Sequence, residues 1–162
     1  YQVVMASGNA KTQVNMPDYS IVSQPVTYIN KSDLARFKDA LKELDFQVFE
    51  LNGEKVRDAE SLFEQAARDW PHPPYLTPDS WPALADCLWT SLVESAHPKV
   101  VLLWTEAQNM LDGGLPVLIT GIEVVSSNLK NAAKKSKADP AEVYYRLVIS
   151  GSGPNFPPFQ AG

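Results

Sequence analysis

One segment of the chain is a short continuous apolar run, Val100-Val101-Leu102-Leu103-Trp104. Such a run is typical of a β-strand that is buried on both faces. Two more strands are predicted, one over 46–51, where apolar and polar residues alternate up to Asn52-Gly53, and one over 143–149. Helical periodicity separates the three strands, so we expect them to lie parallel, with helices packed against the sheet.

Helices are predicted wherever apolar side chains recur at helical spacing. Ser32 caps the first of them, and Ser80 or Trp81 caps the helix that precedes the apolar run. The fold class is therefore α/β, with a small three-stranded parallel sheet flanked by helices and an N-terminal extension that contains an extra helix. The predicted helices span 32–44, 58–70, 81–93, 105–113 and 116–137.

These elements suggest a division of the chain into three parts. Residues 1–45 form an N-terminal arm with the extra helix, and 46–150 form the α/β domain. Residues 151–162, which are rich in Gly, Ser and Pro, form a flexible C-terminal tail. Within the arm, an extended stretch over 19–29 is interrupted by Pro25, which favours either an edge strand or an ordered arm.

Charge restricts the class of partner. The net charge is −5 over 162 residues, which disfavours direct binding of nucleic acid because phosphates attract a basic surface. The acids are concentrated in residues 58–94, which hold seven carboxylates and one base, Arg68, and so carry −6, while the rest of the chain carries +1. This segment is either a solvated face that maintains solubility or a surface for a basic partner.

Cysteine content and hydropathy indicate the compartment. The single cysteine, Cys87, cannot form an internal disulfide and fits a reducing environment. No apolar run approaches the roughly 20 residues that cross a bilayer. The N-terminus also lacks the charged and then apolar pattern of a signal peptide. We therefore expect a cytoplasmic protein without membrane contact.

A search for catalytic or metal-binding residues gives no candidate. His72 and His97 lie beside prolines and lack a second ligand at metal-binding spacing. The chain has no glycine-rich phosphate loop and no nucleophile in a strand–turn–helix elbow. Cys87 lies in the middle of a predicted helix, where a small core residue is a better interpretation than a reactive thiol. We predict no catalytic residue, no metal, no cofactor and no enzyme activity.

The helix over 81–93 is the most informative part of the sequence. Asp86 and Trp89 lie on its outward face, one turn apart, and a large aromatic beside a charge is typical of binding hot spots. The alternative is that Trp89 folds back under the neighbouring loop and that Asp86 is merely solvated. At 100° per residue, the positions that should contact the core are Leu84, Cys87, Leu88, Ser91 and Leu92.

Two stretches carry a family resemblance, Leu51-Asn52-Gly53-Glu54-Lys55-Val56 and Trp81-Pro82-Ala83-Leu84-Ala85-Asp86-Cys87-Leu88. The first is similar to the opening strand and turn of the barstar family, intracellular inhibitors of a secreted ribonuclease, and the second resembles the central motif of that family. The strand over 100–104 also matches in place, so the resemblance covers about 46–149. It implies a three-stranded parallel sheet flanked by helices, in agreement with the periodicity.

The resemblance also implies a binding site. In the barstar family this helix and the loop before it plug the active site of the ribonuclease, and Asp86 takes the position of an aspartate that occupies a pocket for a substrate phosphate. The chain departs from the motif at Ser80 and Pro82, where the family has Asn and Asp, which favours a different toxin. The predicted partner-binding residues are Tyr75, Asp79, Ser80, Trp81, Ala85, Asp86, Trp89 and Thr90.

The resemblance thus favours an immunity protein. Its expected partner is a cognate ribonuclease or nuclease toxin, a basic protein, which it would bind in a 1:1 heterodimer and occlude at the active site. Two alternatives stay open. A non-inhibitory protein–protein interaction module could use the same helix face, and an enzyme could be built on a flavodoxin-like sheet with a pocket at the carboxyl ends of the strands.

Overall fold

The centre of the molecule is a parallel β-sheet. A computed structural model describes residues 2–3, 14–15, 19–95 and 97–157. Its sheet contains β3 (Val26–Asn30), β4 (Gln47–Leu51), β5 (Lys99–Trp104) and β6 (Tyr144–Gly151), in the spatial order β3-β6-β5-β4. A separate antiparallel pair joins the two-residue strands β1 (Gln2–Val3) and β2 (Val14–Asn15).

In the described part of the chain, four α-helices accompany the sheet: α1 (Leu34–Glu43), α2 (Ala59–Asp69), α3 (Trp81–Glu94) and α4 (Leu115–Lys135). They confirm four of the five predicted helices. The helix predicted over 105–113 is instead a short 3₁₀ helix, Ala107–Met110, which follows Glu106 in the left-handed conformation with φ of 53°. Other 3₁₀ helices are Ser20–Val22, Lys31–Asp33, Gly53–Lys55 and Pro140–Glu142.

The prediction of a three-stranded sheet is wrong by one strand. Val26–Asn30 pairs in parallel with β6 along its whole length, with Val26 opposite Leu147. Pro25 stands immediately before this strand, where its carbonyl accepts a hydrogen bond from the Leu147 amide at 3.0 Å. A proline at that place removes no hydrogen bond from the ladder, so the stretch after it forms an edge strand, one of the two predicted outcomes.

The two faces of the sheet pack against different helices. Along β5, Val100, Leu102 and Trp104 belong to a buried core with the apolar faces of α2, α3 and α4. Val101 and Leu103 point to the opposite face and belong to a second core with α1 and Ser20–Val22. Because successive side chains of a strand point to opposite faces, β5 is buried on both sides, as its apolar sequence predicts.

The second core consists largely of residues from the N-terminal part of the chain. Phe37 and Leu41 of α1 are buried there together with Val22. Residues 19–44 therefore supply an edge strand and the cover of one sheet face, and α1 confirms the predicted extra helix. Where the independently folding unit begins stays a prediction, and the rest of the arm before residue 19 lies outside the described residues apart from β1 and β2.

The segment predicted as a flexible tail begins inside the sheet. Gly151 is the last residue of β6, and the Ser152 amide donates to Oε1 of Gln108 at 3.2 Å. Phe156 is buried in the core with α2, α3 and α4. Residues 158–162 lie outside the described part of the chain, so the flexibility of the tail stays a prediction.

Candidate protein-binding site

Helix α3 presents the surface that its periodicity predicts. Its buried positions are Leu84, Cys87, Leu88 and Leu92, all expected to contact the core. The Ser80 hydroxyl accepts a hydrogen bond from the Ala83 amide at 3.2 Å and caps the helix, while Pro82 occupies the first turn, where no amide donor is needed. The exposed positions on the other side include Pro82, Asp86 and Trp89.

Asp86 and Trp89 are both accessible from solvent. The Trp89 side chain is 40% exposed, and it is one of two large hydrophobic side chains exposed to this degree in the described structure, the other being Tyr75. Asp86 is exposed and has no hydrogen bond or ion pair with any residue that the structure describes. The Trp89 indole is therefore partly accessible to a partner. The exposure of Asp86 is expected both for a binding residue and for the alternative, in which its carboxylate is merely solvated.

The loop between α2 and α3, residues 70–80, which we call the proline loop, has two buried prolines and an exposed tip. Pro73 and Pro78 are buried, whereas Tyr75 is 75% exposed. His72 ties the loop to the end of α2: its Nδ1 lies 2.9 Å from the carbonyl oxygen of Pro73 and its Nε2 lies 2.8 Å from that of Ala67. These two bonds raise the pKa of His72, because only the protonated ring donates to both oxygens.

Two carboxylates near the start of α3 affect the pKa of a neighbouring cysteine thiol. Burial raises the pKa of the Cys87 thiol, and the charges of Asp86 and Asp79 raise it further. Both carboxylates thus act on the same atom, although they come from the helix and from the loop. A buried thiol with a raised pKa is a core group rather than a nucleophile, as its place in the sequence predicts.

Trp81 has a different environment from the other predicted contact residues. Its ring meets the ring of Phe63 edge to face, with centroids 4.9 Å apart, and it packs against the main core. Of the eight predicted residues, the exposed ones are Tyr75, Asp79, Asp86 and Trp89, and the half-buried ones are Ser80, Trp81, Ala85 and Thr90. All eight lie on α3 or in the loop before it, and their role in binding stays a prediction.

The carboxyl ends of the strands, where α/β enzymes bind ligands, carry paired charges. Nζ of Lys31 lies 2.6 Å from Oε1 of Glu106, and Nζ of Lys38 lies 2.7 Å from Oε1 of Glu50. The hydrogen bond from Lys31 holds the pKa of Glu106 below its usual value. Within the described ranges, no cluster of His, Cys, Asp or Glu side chains could hold a metal ion.

Among the helices in the described part of the chain, none is long and apolar enough to cross a membrane.

A comparison with known protein families finds a match that runs from the start of β4 to the start of β6. A model of one family, described as barstar (barnase inhibitor), matches residues 46–145. The chain belongs to the barstar family. A comparison with individual curated proteins gives no match.

Membership of the barstar family confirms the resemblance found in the sequence. The matched region contains the whole candidate site, whereas β3 and α1 lie before it. Barstar is by description an inhibitor of barnase, which fits the expectation that this chain is not an enzyme. Sequence reasoning does not identify one neighbouring feature, a groove between α2 and the proline loop that is lined in part by Glu60, Phe63 and Glu64.

Proposed function

We propose that this protein binds a basic ribonuclease in a 1:1 complex and occludes its active site, as an immunity protein against a cognate toxin in the cytoplasm. The observation that carries the proposal is the exposed carboxylate of Asp86, which has no hydrogen bond or ion pair with the described residues and lies one helical turn from the exposed indole of Trp89, within the barstar-family region. The family description supplies the class of partner, and the side chains supply the chemistry.

The chemistry follows from what a ribonuclease active site must bind. Such a site holds cationic donors for the phosphate of RNA, and a carboxylate accepts charge-assisted hydrogen bonds from the same donors. Asp86 has no internal partner among the described residues, so it does not have to break an ion pair before it binds. Its helix is fixed by four buried side chains and a capped first turn, so little conformational entropy is lost on binding.

The surrounding residues complete an interface with a recognisable composition. Trp89, one helical turn from Asp86, and Tyr75, in the loop before α3, offer large amphipathic surfaces, as hot-spot aromatics do. Asp79 adds a second carboxylate, and the acidic segment 58–94 favours fast encounter with a basic protein. The known energies and association rates of such contacts were measured in part on the barnase–barstar pair, whose inhibitor is a member of the same family.

An inhibition assay tests the proposal. Barnase and the ribonucleases encoded in the same genome as this chain are mixed with increasing amounts of the protein, and cleavage of a fluorogenic RNA is followed. We expect one of these enzymes to be inhibited fully at one equivalent, and Asp86→Ala to weaken inhibition about 30-fold or more, which corresponds to roughly 2 kcal/mol. Glu94→Gln, at the far end of the same helix, is the matched control and should change little.

Two results would overturn the proposal. One is that none of the ribonucleases is inhibited, and the other is that Asp86→Ala inhibits as well as the original chain. A partner that binds through the exposed face of α3 while its cleavage of RNA continues would favour the second candidate, a non-inhibitory interaction module.

A further inference from the structure

A groove lies beside the candidate site, between α2 and the proline loop. Its volume is about 630 Å³, and its lining residues come from both segments. The apolar part is formed by Phe63, Ala67 and Pro78, which are half-buried or buried. The remaining lining residues are exposed and polar: Glu60, Glu64, Arg68, Thr77 and Asp79.

The charges around this groove, which we call the α2 groove, are unbalanced. Glu60 and Glu64 lie one turn apart on α2, Asp79 lines the groove from the loop, and Arg68 is the one cation among the described lining residues. Across the ranges that the structure describes, none of these four side chains has a hydrogen bond or an ion pair. Three carboxylates against one guanidinium leave an excess of two negative charges over an apolar surface.

The aromatic residue in the groove is held in place from behind. The ring of Phe63 packs against Trp81 with an angle of 82° between the planes, and Trp81 is packed against the core. One side of Phe63 is therefore covered, while another lines the groove. A fixed aromatic ring within reach of carboxylates is an arrangement that binds a cation, because the ring face and the carboxylates both attract positive charge.

We propose that the α2 groove receives an arginine side chain of the partner that binds to α3. Its aliphatic stem would lie along Ala67 and Pro78, and its planar guanidinium would stack on Phe63 and reach Glu60, Glu64 or Asp79. Lysine fits less well, since its compact ammonium group does not stack and is more strongly hydrated. The inference depends on the proposed function only in assigning the arginine to that partner.

The groove is continuous with the candidate site on α3. Asp79 lines the groove, and the next residue, Ser80, caps α3 through the Ala83 amide. A protein that covers Asp86 and also contacts Asp79 would reach the edge of the groove. The basic character expected of a ribonuclease partner also matches the excess of carboxylates, so charge complementarity and position agree.

A peptide titration tests the groove without the partner. The ¹⁵N-labelled full chain is titrated with acetyl-Gly-Arg-Gly-amide, and backbone amide shifts are followed by NMR. We expect saturable shifts at Phe63, Glu64, Ala67, Thr77 and Asp79, with the millimolar affinity of a very small ligand. The matched peptide with citrulline, which is neutral and has nearly the same shape, should cause no saturable shift.

Variants separate the groove from the general acidity of the surface. The double substitution Glu60→Gln and Glu64→Gln keeps the shape of the lining and should weaken peptide binding about fivefold or more, as loss of two charge-assisted contacts requires. Glu94→Gln, at the far end of α3, should leave it unchanged. Shifts that scatter over all acidic residues, shifts that do not saturate, or equal binding of the citrulline peptide would each overturn the proposal.

The outcome for the groove is distinguishable from the outcome for the proposed function. Saturable peptide binding together with no inhibition of any ribonuclease would retain the groove and reject the assigned partner. Inhibition that depends on Asp86 but not on Glu60 and Glu64, with no peptide binding, would retain the proposed function and reject the groove. If both hold, the double glutamine variant should also inhibit the ribonuclease about fivefold less well.

Discussion

The ring of Phe63 on α2 meets the ring of Trp81 at the start of α3 edge to face, with centroids 4.9 Å apart and planes at 82°. This contact joins the two helices on either side of the proline loop. Aromatic pairs favour edge-to-face geometry, so this contact contributes to the packing of α3 against α2. It links the helix that carries Asp86 to the helix that lines the α2 groove, in addition to the four buried side chains that hold α3.

The two tryptophans of α3 should respond differently to truncation. Trp81→Ala removes the partner of Phe63 and leaves a void against the core, so the free energy of unfolding should fall by about 2–3 kcal/mol. Trp89→Ala removes a 40% exposed ring and should change it by less than about 1 kcal/mol while weakening partner binding. Urea unfolding and inhibition assays on both variants check this; equal losses of stability would contradict the assignment of Trp81 as a packing residue.

Gly53, in the Asn-Gly turn after β4, should not tolerate a side chain. A Cβ there would overlap the carbonyl oxygen of Thr105 and lie 3.0 Å from Nε1 of Trp104. Gly53→Ala should lower the free energy of unfolding by about 2 kcal/mol or more, because backbone must move. Gly113→Ala is the control: its φ of 83° is strained for alanine, but nothing lies within 4 Å, so the loss should be nearer about 1 kcal/mol. Similar midpoints for the two variants in thermal unfolding would contradict the steric account.

His72 should make the stability of the protein depend on pH. Its two carbonyl partners raise its pKa in the folded state above the ordinary value of 6.5. Below pH 6.5 the ring is protonated in both the folded and the unfolded chain and the contribution to stability is complete; as pH rises through the folded pKa that contribution is lost. The stability difference between the original chain and His72→Gln should shrink over this interval, measured by urea unfolding, and an NMR titration should give His72 a pKa above 6.5. A difference that grows with pH would contradict the assigned bonds.

The sequence predicts those elements whose apolar pattern is complete within one short segment. Five apolar residues in a row identify β5, and the spacing of Leu84, Leu88 and Leu92 identifies the buried face of α3. β3 is missing from the predicted sheet because an edge strand is paired on one side only, is five residues long and follows a proline. Its assignment depends on pairing with β6, more than 100 residues further along the chain, which a local pattern does not encode.

The same contrast applies to the candidate site. Asp86 and Trp89 can be assigned to the outer face of α3 from helical spacing alone. Trp81 joins them in the prediction because it lies close by in the sequence and takes an apolar position of the motif, although at 100° per residue it lies only about 60° from Leu84, on the side of the core. The α2 groove could not be predicted, since Glu64 and Asp79 come from different segments and only the packing of the loop brings them to one lining.

Residues 19–44 should be required for a soluble monomer. A chain without residues 1–45 exposes Val101, Leu103 and Val148 on the sheet face that α1 covers, and exposed apolar sheet surface promotes association. We expect this truncated chain to aggregate or dimerise in size-exclusion chromatography.

A substitution in the second core provides the control for that truncation. Leu103→Lys should improve the solubility of the truncated chain, where the position faces water, and should destabilise the full chain strongly, where Leu103 is fully buried. A truncated chain that is monomeric and as stable as the full one would show that the second core contributes little.

The central claim is that the carboxylate of Asp86 takes the place of a phosphate in the active site of a ribonuclease. The most direct measurement is the affinity for the inhibited ribonuclease by isothermal titration, with and without saturating inorganic phosphate at constant ionic strength. We predict that phosphate weakens binding of the original chain but much less that of Asp86→Ala, because the alanine leaves the phosphate pocket free. Equal weakening of both chains, or no effect on either, would contradict the claim.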